Sequence, residues 1–461
     1  MTSSFKIISP VDGSVYLERF YARPAEIEKA LQDATARQRT WRQTTIEERA
    51  KVCRKVIEYF EKHAEVIAEE ITWQMGRPIC YTPFEITKGF KERALHMIEE
   101  GLSVLRDKEI EQGEHFHRFI RKEPLGTVMV LSPWNYPYLT AVNAVIPAIM
   151  AGNTVILKHA DQTARCSERF AEAFAYAGAP AGVYQFLHLS HDQIPAILQD
   201  NRIAGALFTG SVSGGKAVQA AMNGRFIPSG FELGGKDPAY VAEDADFSNA
   251  VENLVDGAFF NSGQSCCGIE RIYVHQTIYD DFVERFKSLT SQYVVGDPME
   301  KSTTLGPMVR VAAAERAQAQ IDQAMTKGAN PIMDADTFPL QKFPYFNPQV
   351  LVDVDHTMDV MTEESFAPLV GIMSVPTDEE AIALMNDSAY GLTASIWTSD
   401  PERALNMGDR IETGTWYMNR CDYLDPALAW TGVKNSGKGI TLSAMGYDQL
   451  TRPKSFHLKL K

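Results

Sequence analysis

Apolar positions recur at three- and four-residue spacing near the start of the chain. Ile27, Ala30, Leu31 and Ala34, then Val52, Val56, Ile57 and Phe60, are separated by charged residues. That spacing predicts amphipathic surface helices between Pro24 and Met75, with Trp41 and Trp73 as core packing. A further helix is predicted from Thr82 to Leu105. Between Arg106 and Pro124 the pattern becomes a loose alternation, Glu114 to Arg121, after a polar turn at Glu111-Gln112-Gly113. This predicts an exposed hairpin. From Gly126 the grammar changes to short apolar runs followed by helical spacing. Strands are predicted at Thr127–Leu131, Thr154–Leu157, Tyr184–Leu187 and Ala206–Phe208. Helices are predicted at Leu139–Met150, Thr163–Ala177 and Gly215–Met222. Such repeated units imply a parallel sheet covered on both faces. A second series, with a strand at Arg271–His275 and helices at Tyr279–Tyr293, Ala312–Lys327 and Glu379–Asn386, predicts a second α/β domain. The tail Lys454–Lys461 alternates as a strand.

Bulk properties narrow the class. A chain of 461 residues is expected to divide into two or three domains. The net charge of −14 argues against nucleic acid or anionic membrane as partners, while leaving anionic small ligands open. Met1–Phe20 is interrupted by Lys6, Asp12, Glu18 and Arg19, so it does not read as a signal peptide. No apolar run reaches the roughly 18 residues of a membrane span, and a cytoplasmic protein is expected. The cysteines Cys53, Cys80, Cys166, Cys266, Cys267 and Cys421 form no Cys-x-x-Cys or zinc spacing, so they are expected as reduced thiols without a metal. His115 and His117 lack a third ligand at a plausible spacing.

Three segments carry chemistry. Gly230-Phe231-Glu232-Leu233-Gly234-Gly235-Lys236 supplies a carboxylate. Asn261-Ser262-Gly263-Gln264-Ser265-Cys266 supplies a thiol 34 positions later. Upstream lies Pro133-Trp134-Asn135-Tyr136-Pro137. A thiol can attack a carbonyl, and a carboxylate can activate the water that cleaves the adduct. Asn135 follows the first strand of the parallel sheet, at the end where such sheets bind ligands, and its amide can donate to an oxyanion. Taken singly, each residue has a plainer reading. Asn135 would be a turn residue, Cys266 packing and Glu232 a solvated helix-start acid. Phe208-Thr209-Gly210-Ser211-Val212-Ser213-Gly214-Gly215 comes after a strand and opens a helix, as phosphate-binding turns do, without fitting Gly-x-Gly-x-x-Gly.

Together, and in this order, the three segments resemble the aldehyde dehydrogenase superfamily over essentially the whole chain. The resemblance implies a Rossmann-like NAD-binding domain at residues 1–106 and 124–234 and a catalytic domain at 235–440. An oligomerisation element at 107–123 and 441–461 would give a homodimer or homotetramer. It implies Cys266 as nucleophile, Glu232 as base, and Asn135 with the Cys266 N–H as oxyanion donors. For the cofactor it implies Trp134, Lys158, Asp161, Gly210, Ser211, Gly215, Glu364 and Phe366. Asp161 favours NAD over NADP, because a carboxylate accepts from ribose hydroxyls and repels a 2′-phosphate; it also reads as an N-cap of the next helix. Leu305-Gly306-Pro307 and Asn419 fall where the family pattern has them. Departures are Val212 for the family's Thr, His159 for Pro and Ala367 for Gly.

The segment Ala429–Gly437 matches the family only in part, which leaves the substrate open. Tyr136 and Trp430 could box the cationic group of an amino aldehyde, with Asp422 and Asp425 assisting. Asn143, where a tryptophan often stands, leaves that box incomplete. Equally, these side chains and Cys267 could line an apolar tunnel for medium-chain or aromatic aldehydes. Two other readings are a CoA-acylating dehydrogenase and a non-catalytic relative. The presence of Glu232 argues against the first, and the intact triad against the second.

Overall fold

The computed structural model describes residues 3–110, 113, 115–334, 336–339 and 342–460. The alternating runs after Gly126 form a six-stranded sheet. Its order in space is Gly437–Lys438, Ser229–Glu232, Ile203–Thr209, Thr127–Ser132, Thr154–His159, Tyr184–Phe186. All pairings are parallel except the first. Val128, Val130, Val155 and Leu157 join an apolar cluster with Phe60, Phe90 and Val145 on one face. Met129, Leu131 and Ile156 join Leu31, Ala34 and Val218 on the other. The two-residue period of a strand thus divides one unbroken apolar run between two helical layers. Strand order reverses between Thr127–Ser132 and Ile203–Thr209, so the chain leaves these neighbours in opposite directions and opens a crevice at their carboxyl ends.

The second series forms a seven-stranded sheet, ordered Asn330–Pro331, Gln349–Val352, Leu369–Val375, Ile269–His275, Asp237–Val241, Thr393–Trp397, Thr415–Met418. It too has an apolar cluster on each face, one around Tyr240 and Tyr273 and one around Val241 and Ile272. A third sheet is small. Phe116–Pro124 pairs antiparallel with Lys108–Glu109 on one side and Thr451–Lys459 on the other. Glu111 and Gln112 of the expected polar turn, Glu114 and Lys461 lie outside the described residues.

Several expectations are corrected. The helix expected over Thr82–Leu105 is broken into Thr82–Phe84, a π-helical turn Glu85–Phe90, and Lys91–Val104. The helix expected from Gly215 starts at Val212, because Ser211 caps it by accepting from Gly214 N–H at 3.1 Å. Ala64–Met75 is not a surface helix, since Ile67, Ala68, Ile71, Thr72, Gln74 and Met75 are all buried. A hairpin of Ser4–Ile8 with Val15–Phe20 had no clear sequence signal. The six cysteines are free thiols. No helix among the described residues is long and apolar enough to cross a membrane, and none of them form a cluster of three or more metal-ligating side chains. His117 instead meets Glu109 at 3.3 Å.

Candidate active site

A cleft of about 470 Å³ opens at the strand-order reversal. Asn135, Glu232 and Cys266 line it, together with Trp134, Gly210, Ser211, Glu364 and Phe366. Lys158 and Asp161, expected at the cofactor, are not among its lining residues; Lys158 lies at the carboxyl end of the neighbouring strand Thr154–His159 and Asp161 in the turn that follows it. Gly215 packs under Leu233, where a Cβ would come within 2.6 Å of that side chain.

The thiol is placed by an unusual backbone. Asn261, Ser262 and Gly263 take positive φ in succession, 54°, 56° and 66°. A Cβ on Gly263 would lie 2.0 Å from the Ala367 carbonyl oxygen, so only glycine fits. The Gly234-Gly235 pair has a similar cause. A Cβ at Gly234 would strike the Glu364 carboxylate at 2.3 Å, and one at Gly235 the Cys266 carbonyl at 2.3 Å. These glycines permit close approach, and Glu232 is not at a helix start but is the last residue of strand Ser229–Glu232.

Asn135 is fixed by a buried ion pair that the sequence did not reveal. Arg77 Nη1 meets Glu85 Oε2 at 2.6 Å, with side chains 2% and 0% exposed. The same guanidinium donates to the Asn135 carbonyl and, at 3.1 Å, to Asn261 Oδ1. Glu85 Oε1 accepts from Tyr138 N–H at 2.8 Å and Leu139 N–H at 3.2 Å, capping the helix Pro137–Met150. Asn135 Nδ2 donates to the Gln264 carbonyl at 3.1 Å, which leaves its second N–H for a ligand. The signal available in sequence was only an Arg eight positions before a Glu.

Glu232 accepts from the Thr441 hydroxyl and, at 3.1 Å, from the Thr209 hydroxyl. Burial raises its carboxyl above the ordinary range, and the two hydroxyls oppose that rise. Thr441 is itself held by backbone bonds to Trp430 of 2.8 and 2.9 Å. On the opposite wall, Glu364 Oε1 accepts from Gly235 N–H at 3.0 Å, and burial pushes its carboxyl up to about 7. Phe366 turns its ring edge-on to Trp134, centroids 5.7 Å apart. The loop bearing Glu364 and Phe366 is anchored by Glu270, which pairs with Lys236 at 2.6 Å and accepts from the N–H groups of Ser365 and Phe366 at 2.8 Å. Arg310 and Arg316 add two cations to the cleft that no sequence motif singled out.

A family model described as the aldehyde dehydrogenase family matches residues 1–456. The chain belongs to the aldehyde dehydrogenase family. It is 34% identical over 439 residues to the Escherichia coli (strain K12) protein named succinate semialdehyde dehydrogenase [NAD(P)+] Sad, covering 95% of this chain and 94% of that one. It is 32% identical to a Mycobacterium bovis succinate-semialdehyde dehydrogenase [NADP(+)] 1, covering 95% and 96%. A crystal structure of an aldehyde dehydrogenase from Brucella melitensis superposes with a TM-score of 0.95 at 29% identity, covering 100% and 94%.

The side chains expected at the substrate of this aldehyde dehydrogenase do not line the cleft. The face of Tyr136 is already occupied by a cation of the protein, Arg77, 4.3 Å from its centroid. Trp430 is 4% exposed and belongs to the apolar cluster shared with Cys267. Asn143 is buried, with Oδ1 lacking a partner, beside a narrow pocket shared with Glu232 and Thr441. Cys267 donates to Asp422 at 2.9 Å; its hydrogen bond to Cys266 and its burial push its thiol well above the ordinary range. Asp422 also accepts from Ser265 at 3.2 Å, and burial lifts its carboxyl to about 7. Asp161 does not cap a helix. It accepts from Lys158 at 3.0 Å and from Tyr21 at 2.7 Å.

Proposed function

We propose that this aldehyde dehydrogenase oxidises an aldehyde to a carboxylic acid with NAD. The observation that carries the reading is the convergence of Cys266, Asn135 and Glu232 on one cleft at the strand-order reversal. Cys266 attacks the aldehyde carbon. The free N–H of Asn135 and the Cys266 backbone N–H stabilise the oxyanion, a contribution of about 10²–10³-fold in rate per donor. NAD held in the cleft by Trp134, Ser211, Glu364 and Phe366 would supply the hydride acceptor. Glu232 then takes a proton from the water that releases the acid from a thioester on Cys266. Replacing Glu232 by Gln is expected to leave a stoichiometric burst of reduced cofactor and then slow turnover. Stopped-flow absorbance checks this, and full turnover without a burst would remove Glu232 from the role. Addition of CoA is expected to leave the wild-type rate unchanged, which separates hydrolysis from acyl transfer to CoA.

The residues present suit a dinucleotide. The cleft offers a capped helix N-terminus at Ser211, two guanidinium groups and the Glu364 carboxyl, a donor set matched to pyrophosphate and ribose. Relatives are named for NAD(P) and for NADP, so the preference must come from this chain's own side chains. Asp161 accepts from Lys158 through one oxygen and from Tyr21 through the other; the remaining lone pairs of its carboxylate would accept from ribose hydroxyls and disfavour a 2′-phosphate, which supports NAD. Replacing Asp161 by Ser is expected to raise NADP use relative to NAD about 10-fold or more. Comparison of kcat/KM for the two cofactors tests it, and a wild type already favouring NADP would refute it.

For the substrate, we infer an aldehyde that carries a carboxylate. The names of the relatives support this. The cationic cage gains no support, because Arg77 already covers Tyr136 and Trp430 is packed away. Wild-type turnover of succinate semialdehyde exceeding that of butanal and of 4-aminobutanal is the expected result.

A further inference from the structure

Glu232 stands between two spaces. On one side is the cleft that holds Cys266. On the other is a narrow pocket bordered by Thr140, Asn143, Thr209, Thr441 and Lys438. Glu232, Thr140 and Thr209 line both. The cavity of the narrow pocket is about 10 Å³, close to what one water needs. Thr140 and Asn143 reach it from the helix Pro137–Met150, where a spacing of three residues puts them on one face.

Asn143 is 3% exposed, and its Oδ1 has no hydrogen-bond partner among the described residues. A buried acceptor left in this state is costly, and the neighbouring hydroxyls do not relieve it. Thr140 donates to the Tyr136 carbonyl at 2.8 Å, Thr209 to Glu232 Oε2 at 3.1 Å, and Thr441 to Glu232 Oε1. A water in the cavity would donate to Asn143 Oδ1. With those three hydroxyl donors spent, the water's own oxygen keeps a place for a proton from Glu232. The pocket also borders Lys438, which is exposed.

We propose that Asn143 is a positioning residue for the hydrolysis step, holding one water behind Glu232 that carries away the proton Glu232 takes up on the cleft side. This rests on the reading of Glu232 as the base. On the cleft side, Glu232 takes one proton from the attacking water as the oxygen of that water bonds to the thioester carbon. The carbon–sulfur bond then breaks and returns the Cys266 thiolate. On the pocket side, the held water receives the proton from Glu232 and gives one of its own to solvent beside Lys438, which restores the carboxylate. Thioester formation precedes this route, so Asn143 acts on one half of the reaction only.

The test follows reduced cofactor by stopped flow on the full-length enzyme with NAD, as wild type, Asn143→Leu and Asn143→Asp. Succinate semialdehyde and butanal are both used, so the outcome does not hang on the substrate reading. Asn143→Leu keeps the volume of the amide without its acceptor. It is expected to lower kcat about 10–100-fold, with a stoichiometric burst ahead of the slow steady state. KM should fall in proportion, so that kcat/KM, set by the steps up to thioester formation, stays within about twofold. Asn143→Asp keeps an acceptor and should recover most of kcat. Unchanged kcat in Asn143→Leu, or kcat and kcat/KM falling together, would overturn the assignment of Asn143. Glu232→Gln separates the two readings. Full turnover without a burst in that variant removes the base itself, whereas a burst there beside an unchanged Asn143→Leu removes only Asn143. A high-resolution crystal structure of the wild type is independent of how the variants fold. It should show one ordered water bonded to both Asn143 Oδ1 and the Glu232 carboxylate, and a dry pocket would overturn the proposal.

Discussion

Replacing Cys266 by Ala is expected to lower aldehyde oxidation by about 10⁴-fold or more, with folding and NAD binding retained. Replacing Cys267 by Ala should keep most of the activity. The two thiols are neighbours in sequence, yet their surroundings differ. Cys266 lines the cleft and is partly accessible. Cys267 is 3% exposed and donates to Asp422. A thiol pushed well above its ordinary range stays protonated near neutral pH, and only the thiolate is a strong nucleophile. Initial rates, NAD titration by fluorescence and the site of first alkylation by iodoacetamide check the pair. Loss of activity in the Cys267 variant with retention in the Cys266 variant would reverse the assignment.

Replacing Arg77 by Met should destabilise the protein by about 3–5 kcal/mol, because it strands the buried Glu85 carboxylate. It should also lower kcat about 10²–10³-fold, since Arg77 holds the Asn135 carbonyl and the Asn261 side chain. Stability and catalysis are separable here. In the double variant Arg77→Met with Glu85→Leu no buried charge is left unpaired. Its melting temperature should recover part of the loss while kcat stays low. Thermal melts and steady-state rates on the three proteins decide it. A single variant with wild-type melting and wild-type kcat would show that Asn135 is positioned without Arg77.

Elements were legible in the sequence where burial alone dictates the residue pattern. The strands at Thr127–Ser132 and Thr154–His159 could be read because a strand buried on both faces admits almost no polar residue. The amphipathic helices before Lys62 could be read because one face meets water. The first and last residues of helices were less so, as at Val212, where a single serine hydroxyl sets the start. The short hairpin Ser4–Ile8 with Val15–Phe20 escaped because its burial alternates weakly. The π turn at Glu85–Phe90 escaped because one extra residue leaves helical periodicity nearly intact over so short a span.

By itself the sequence determined the α/β class, the parallel sheet and the short polar and glycine-rich segments around Asn135, Glu232 and Cys266. Each of these is a local property, set by the period of apolar residues or by a backbone that tolerates only small side chains. The tertiary structure alone decided which groups meet across long separations. It joined Arg77 to Glu85 and both to Asn135, gave Glu232 to Thr209 and Thr441, and closed Asp161 with Lys158 and Tyr21. It also turned Cys267 and Trp430 away from the cleft. Such pairings depend on distance in space, burial and the competition of several donors for one carboxylate, none of which is encoded at a fixed spacing along the chain.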